Sequence, residues 1–320
     1  MKYSSPRASW LVPLFASLSV IGCATPSVGD SGSDGELNGT STRTATQLVS
    51  GDTHSCALLS DGAVRCWGRK TVFAFDPPAD LPPAASIESG AQHTCALLLD
   101  KRARCWGAQW TQGFLPRTMN FRGTEYVRVS AGAQATCVVR TDGKTFCTDE
   151  SDAQMPEGIA DVVEVDSGSG YVCALLADRH VQCWTRRKGV EAASAPADLG
   201  SVAQLSTGTN HACAVREDGT VRCWGRADAG QLDVPSDLGA VTQVSAGVRH
   251  TCAVQHEGSV RCWGDNAAGQ ADVPSDLGAI QQVAAGRGHT CALRIDGKVR
   301  CWGADDVVSQ LPAELAPNQS

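Results

Sequence analysis

His289-Thr290-Cys291-Ala292-Leu293-Arg294-Ile295-Asp296-Gly297-Lys298-Val299-Arg300-Cys301-Trp302-Gly303 is the stretch that decides the fold. Two short β-prone runs flank an Asp-Gly turn, and each run carries one cysteine. Reading back along the chain, the same unit recurs as Cys252/Cys262, Cys213/Cys223, Cys173/Cys183, Cys137/Cys147, Cys95/Cys105 and Cys56/Cys66. Nine residues separate the members of every pair, and successive pairs start 39, 42, 36, 40, 39 and 39 residues apart. Seven copies with a period near 40 define a repeat architecture. A third β-prone run precedes each hairpin, as in Val241-Thr242-Gln243-Val244-Ser245-Ala246-Gly247. No segment has the length and apolar period of a good helix.

The turn fixes the register. In the first copy Cys56-Ala57-Leu58-Leu59 leads into Ser60-Asp61-Gly62, and Ala63-Val64-Arg65-Cys66 leads out. A three-residue loop with a left-handed Gly62 sets Cys56 opposite Cys66 and Leu58 opposite Val64. Directly opposed strand positions come close enough for a disulfide. The expected bridges are therefore Cys56-Cys66, Cys95-Cys105, Cys137-Cys147, Cys173-Cys183, Cys213-Cys223, Cys252-Cys262 and Cys291-Cys301. Metal ligation would need tighter chelating pairs than this spacing provides, even with His54 near Cys56, so no metal is expected. Side-chain parity puts Cys56, Leu58, Val64 and Cys66 on one face and Ala57, Leu59 and Trp67 on the other. Two apolar faces suit a sheet packed between neighbours. The fold expected is all-β, a seven-bladed β-propeller of three- to four-stranded blades over residues 44–320.

The fifteenth cysteine, Cys23, has a separate explanation. Lys2 and Arg7 precede an apolar run from Trp10 to Ile21, which is too short to span a bilayer as a helix and has the form of an export signal. Val20-Ile21-Gly22-Cys23 resembles a bacterial lipobox, a resemblance that implies cleavage after residue 22 and lipidation of Cys23. Ala24 after the cysteine implies, by the same resemblance, the outer membrane where the host has one. Residues 23–43 are rich in Ser, Gly, Thr and Asp and read as a flexible tether. Cleavage would remove Lys2 and Arg7 and take the formal net charge from −7 to −9. An acidic chain with no Lys/Arg block lacks the footprint that nucleic acid requires. Exported chains live where thiols oxidise, which agrees with paired cysteines as disulfides.

His289 to Leu293, Asp296-Gly297 and Val299 to Gly303, with Gly230-Gln231 and Gly269-Gln270 in the connectors, resemble the regulator of chromosome condensation repeat. The resemblance covers residues 44 to about 312 and implies a seven-bladed propeller. The cysteine-bearing version is similar to exported bacterial relatives, sometimes labelled bacterial neuraminidase repeat proteins. The nuclear exchange-factor activity of the wider family does not carry over to an exported, acidic chain. Some copies depart from the pattern. Copy three has Ala135 in place of the histidine and Thr148-Asp149 in place of Trp-Gly. Copy four has Tyr171, Arg179-His180 and Thr185, and copy two puts Lys101 at the turn glycine, at a cost of about 1 kcal/mol in left-handed backbone. Drift is the simpler reading of blades two to four, and a specialised surface is the other.

His54, His93, His211, His250 and His289 recur at one slot, which points to a shared structural hydrogen bond and not to five catalytic bases. Trp67, Trp106, Trp184, Trp224, Trp263 and Trp302 read as packing between blades, with a carbohydrate platform as the alternative for any that surfaces. Trp110 lies outside the pattern as an exposed aromatic. The Ser60-Asp61-Gly62 turn matches a sialidase Asp-box only superficially, because Asp follows Ser directly. No catalytic constellation and no cofactor motif stand out from the repeat.

Variation concentrates after the loop glycines: Asp52-Thr53, Ala91-Gln92, Ala133-Gln134, Ser169-Gly170, Thr209-Asn210, Val248-Arg249 and Arg287-Gly288. Equivalent loops share one face of a propeller. Asp52, Thr53, Gln92, Gln134, Ser169, Asn210, Arg249 and Arg287 therefore make a candidate binding rim. The expectation is a monomeric, lipid-anchored module of the cell envelope that binds a protein or glycan without catalysis. Two alternatives remain: a secreted-enzyme inhibitor, by resemblance to propeller-type β-lactamase inhibitory proteins, and an envelope hydrolase or lyase. A buried polar cluster near the central channel would favour the latter, and an apolar channel would oppose it.

Overall fold

The first copy becomes a meander of three antiparallel strands, Ala45–Ser50, His54–Leu59 and Val64–Gly68. The computed structural model describes residues 43–69, 76–107, 118–120, 125–133, 135–148, 159, 161–185 and 194–317. Across these the meander recurs seven times, and the second blade gains a fourth strand, Thr118–Asn120. The expected lipidation site Cys23, the tether up to residue 42, Gln134 and Trp110 lie outside the described residues.

The hairpin register is the one the turn dictates. Cys56 faces Cys66, Leu58 faces Val64 and Ala57 faces Arg65. Gly62 takes φ 81°, and the Asp61 carboxylate accepts from the Ala63 amide to brace the turn. Each hairpin closes one disulfide, with Cα atoms 4.0–4.1 Å apart. Where glycine is replaced at the turn, the backbone conformation persists. Lys101 has φ 63° and Arg179 has φ 70°, so both carry the left-handed penalty of about 1–2 kcal/mol.

Parity then builds the core between blades. Cys56, Leu58 and Val64 pack against Ile87, Ala96 and Trp106 of the next blade. Ala57, Leu59 and Trp67, on the opposite face, pack against Cys291, Leu293 and Val299 of the seventh blade. The same arrangement recurs around the ring, so the core is a set of inter-blade layers. All six repeat tryptophans are buried within them, which excludes a surface carbohydrate platform at these positions.

Closure is non-covalent. At each regular junction the amide opening a blade donates to the preceding turn, as Val241 does to Gly219 and Ile280 does to Gly258. Ala45 donates in the same way to Gly297, which joins the first blade to the last. The C-terminal segment completes the junction. Leu311-Pro312-Ala313-Glu314-Leu315 repeats the connector Val273-Pro274-Ser275-Asp276-Leu277, and Leu315 donates to the Pro312 carbonyl as Leu238 does to that of Pro235. Val307 and Leu315 are buried against blades one and seven. The repeating chain therefore extends past residue 312.

Candidate functional site

Seven glycines, one from each blade, converge on the axis. A Cβ on Gly51, Gly90, Gly208, Gly247 or Gly286 would lie within 2.7 Å of the carbonyl oxygen of the next glycine in the ring, and one on Gly168 would meet that of Gly208. At Gly132 it would meet the Ser167 carbonyl instead. No side chain fits at this collar, which is why the loop residue is glycine in every copy. The collar narrows the axial space to about 60 Å³.

The candidate rim surrounds the collar. Arg249 and Arg287 are exposed, whereas Asp52, Thr53, Gln92, Ser169 and Asn210 are half-buried. Burial pushes the Asp52 carboxyl up, and the Arg287 guanidinium opposes that shift. Arg249 is drawn to Asp228 at 3.7 Å, a residue that also pairs with Arg226 at 2.8 Å.

Just outside the axis, the five histidines form a chain of contacts between blades. Nε2 of His54, His93, His211 and His250 lies 2.8–3.0 Å from the hydroxyl of Thr94, Thr136, Thr251 and Thr290 respectively. His289 completes the circuit at 2.9 Å from the Ser55 hydroxyl. In the fourth blade the Tyr171 hydroxyl takes over and donates toward the carbonyls of Gly208 and His211. Burial pulls the imidazoles down to about 3 or about 4, so all five are neutral at pH 7. Neutral, hydrogen-bonded and sealed from solvent, they join blades.

The first strands line a second space, a channel of about 320 Å³ on the other side of the collar. Its inward positions show what sequence reading passed over. At the third position stand Gln47, Ser86, Arg128, Glu164, Gln204, Gln243 and Gln282. Each glutamine grips the backbone of the next blade with both amide atoms. Gln47 bonds the Ile87 carbonyl and amide, Gln204 and Gln243 do the same at Val244 and Val283, and Gln282 closes the ring on Leu48.

Blades two to four lack this grip and instead bring charge inward. Glu88, Glu164 and Asp166 line the channel together with Arg128. Burial holds the Glu88 carboxyl well above the usual range, reinforced by the Asp166 and Glu164 charges and opposed by Arg128. Burial lifts Glu164 to about 7. Burial also lifts Asp166, which nonetheless accepts from the amides of Thr207 and Ser167 and from the Ser130 hydroxyl. The cluster combines residues 76–78 apart, and only the aligned columns of the first strand would have shown it. Among the described residues no group of three or more His, Cys, Asp or Glu is arranged to hold a metal.

A closed set of disulfide-clasped, three-stranded meanders around an axial channel defines a seven-bladed propeller scaffold of the kind that binds other molecules. The Regulator of chromosome condensation (RCC1) repeat matches residues 45–71, 84–109, 202–231, 241–270 and 280–307, so five of the seven blades carry that repeat. The unmatched stretch holds blades three and four. Solved structures agree on the fold. The CRINKLY WD40 ectodomain of the Arabidopsis thaliana receptor kinase ACR4 is 22% identical with a TM-score of 0.68, over 84% of this chain and 99% of that one. The ectodomain of the Physcomitrella patens receptor kinase CR4 is 22% identical with a TM-score of 0.68, over 82% and 74%. Prp20p from Saccharomyces cerevisiae is 17% identical with a TM-score of 0.62, over 75% and 80%. No curated protein sequence matches the chain.

Proposed function

We propose that this chain is a monomeric module exported from the cytoplasm, anchored through a lipid on Cys23, that binds a protein or glycan partner through the loops around the glycine collar. The observation that carries this reading is a constant framework with changing loop residues. Gly, His, Cys and Trp recur, while the residues after the collar glycines change around the ring, Ala-Gln alone appearing twice, in blades two and three. Seven disulfides favour an oxidising compartment outside the cytoplasm. Among the described residues no helix is long and apolar enough to cross a membrane. A scaffold rigidified by disulfides loses little entropy on association. Prp20p, one of the structural neighbours, is described by its binding properties to Gsp1p and histones, which supports a protein partner here. The test is capture from cell-envelope extracts with the purified chain. A saturable partner should be recovered and should be lost from the triple variant N210A/R249A/R287A. Recovery that does not saturate, or that is indifferent to the triple variant, would overturn the rim assignment.

One observation favours a second reading, an envelope hydrolase or lyase: the half-buried Glu88, Glu164 and Asp166 cluster in the channel. Under that reading Glu88, whose carboxyl burial and the neighbouring carboxylates push up, would act as the acid. Turnover of a glycan or ester panel that vanishes in Glu88→Gln would establish it, and an inert wild type would dismiss it.

A further inference from the structure

The third position of the first strand ties most blades to their neighbours by one rule, and blade four departs from it by a single atom. Gln47, Gln243 and Gln282 each give Nε2 to one carbonyl of the next blade, at Ile87, Val283 and Leu48 respectively. Oε1 of each accepts the amide of that same residue. In blade four the slot holds Glu164, an oxygen in place of the glutamine nitrogen. Its carboxyl keeps half of the grip, accepting from the amide of Leu205 in blade five. The other half is missing when Glu164 is ionised, because a carboxylate has no proton to give to the Leu205 carbonyl.

The Leu205 carbonyl is supplied from its own strand instead. Gln204 turns Nε2 back onto that oxygen at 2.8 Å and reaches its regular partner, the Val244 carbonyl, at 3.1 Å. One donor is thus divided between two acceptors, at the junction where the preceding blade offers none. An ionised Glu164 in the pose of the glutamines also sets a carboxylate oxygen against a carbonyl oxygen, which disfavours its charge. A proton on that oxygen removes the clash. It also restores the missing donor, since a carboxylic acid presents one O–H and one acceptor oxygen where a glutamine presents N–H and oxygen.

We propose that Glu164 is a proton-operated latch between blades four and five. Neutral, it grips Leu205 with both oxygens and releases Gln204 to Val244. Ionised, it holds by one bond and leaves Gln204 shared. The proton passes to and from solvent through the channel, whose wall Glu164 lines half-buried. The charged groups facing it are few. Asp166 on its own strand and Glu88 of blade two carry like charge and favour the proton, whereas Arg128 of blade three opposes it. Blade five brings no charge to the channel, since Gln204, Ser206 and Thr207 are neutral. Burial first, then the Asp166 charge, lifts the Glu164 carboxyl to about 7, so the latch switches near neutrality. The raised value means that the junction is tight below this point and loosens as pH rises through it. The device is independent of the collar loops and of any partner they bind.

The experiment is NMR of the purified chain, labelled with carbon-13 at the glutamate carboxyls and leucine carbonyls. The carboxyl signal that disappears in Glu164→Gln should titrate near pH 7 in the wild type. The Leu205 carbonyl signal should follow the same curve, and should stay fixed across that range in Glu164→Gln. Denaturant unfolding then separates a latch from simple loss of charge. At pH 8 the unfolding constant of Glu164→Gln should be about fivefold to tenfold smaller than that of the wild type, as one regained hydrogen bond supplies. At pH 5 the two proteins should differ little, because Glu164 is then protonated. Glu164→Met removes the charge but can neither donate to Leu205 nor accept from it, and should be less stable than Glu164→Gln at both pH values. The proposal fails if the Glu164 carboxyl titrates in the ordinary carboxylate range or if the Leu205 carbonyl ignores that titration. It also fails if Glu164→Met is as stable as Glu164→Gln at pH 8.

Discussion

Each of the five recurrent histidines meets a hydroxyl of the next blade, and its neutrality has a consequence for acid stability. The folded imidazoles titrate at about 3 (His54, His250) or about 4 (His93, His211, His289), against 6.5 in the unfolded chain. Between those values the unfolded chain binds more protons. The contribution is therefore complete above about pH 6.5 and is lost as pH falls toward 4, at up to about 1.4 kcal/mol per pH unit for each histidine. Glu164 works in the opposite sense. Its folded value near 7 lies above the ordinary 4.5, so its contribution is present below about pH 4.5 and lost as pH rises through 7. Five groups outweigh the raised carboxyls on the acid side. Denaturant unfolding followed from pH 7 to pH 4.5 should show a steep decline, with a shallower slope in His250→Gln, whose amide can still reach Thr290 without titrating. Equal slopes in the two proteins would refute the assignment.

At the level of the element, the hairpin is the unit that folds and is clasped. Replacing Cys252 and Cys262 by alanine should lower stability by about 2–3 kcal/mol, as expected for a closed loop of this length. The protein should remain folded, because the blade keeps its two apolar faces, and urea titration reads the difference. The third blade offers an internal comparison. It lacks both the histidine and the tryptophan, and Arg128 replaces the glutamine grip on its neighbour. Much of this element was legible in sequence. Asp61-Gly62 dictates the turn, the turn dictates that Cys56 meets Cys66, and parity dictates which face meets which blade. The glutamine grip was not legible, because Gln47 bonds to the backbone of Ile87, and a backbone partner leaves no mark in residue identity. The carboxyl cluster was hidden for a related reason. Glu88 and Asp166 become neighbours only when the ring closes, and local spacing carries no record of that approach.

For the whole molecule, closure rests on the junction between the last blade and the first. Val307 and Leu315 cover that junction, and burying two such side chains contributes roughly 3–6 kcal/mol. Ending the chain after Ala304 should therefore destabilise the entire ring by about that amount. In hydrogen exchange the amides of Ala45 and Leu48, which bond to Gly297 and Gln282 across the junction, should lose protection before those of the sixth blade. Uniform loss of protection around the ring would show that closure depends on another contact.

The glycine collar leaves the ring intolerant of a single added carbon. Backbone carbonyls meet backbone with no room for a methyl group, so even Gly208→Ala would have to prise two blades apart to be accommodated.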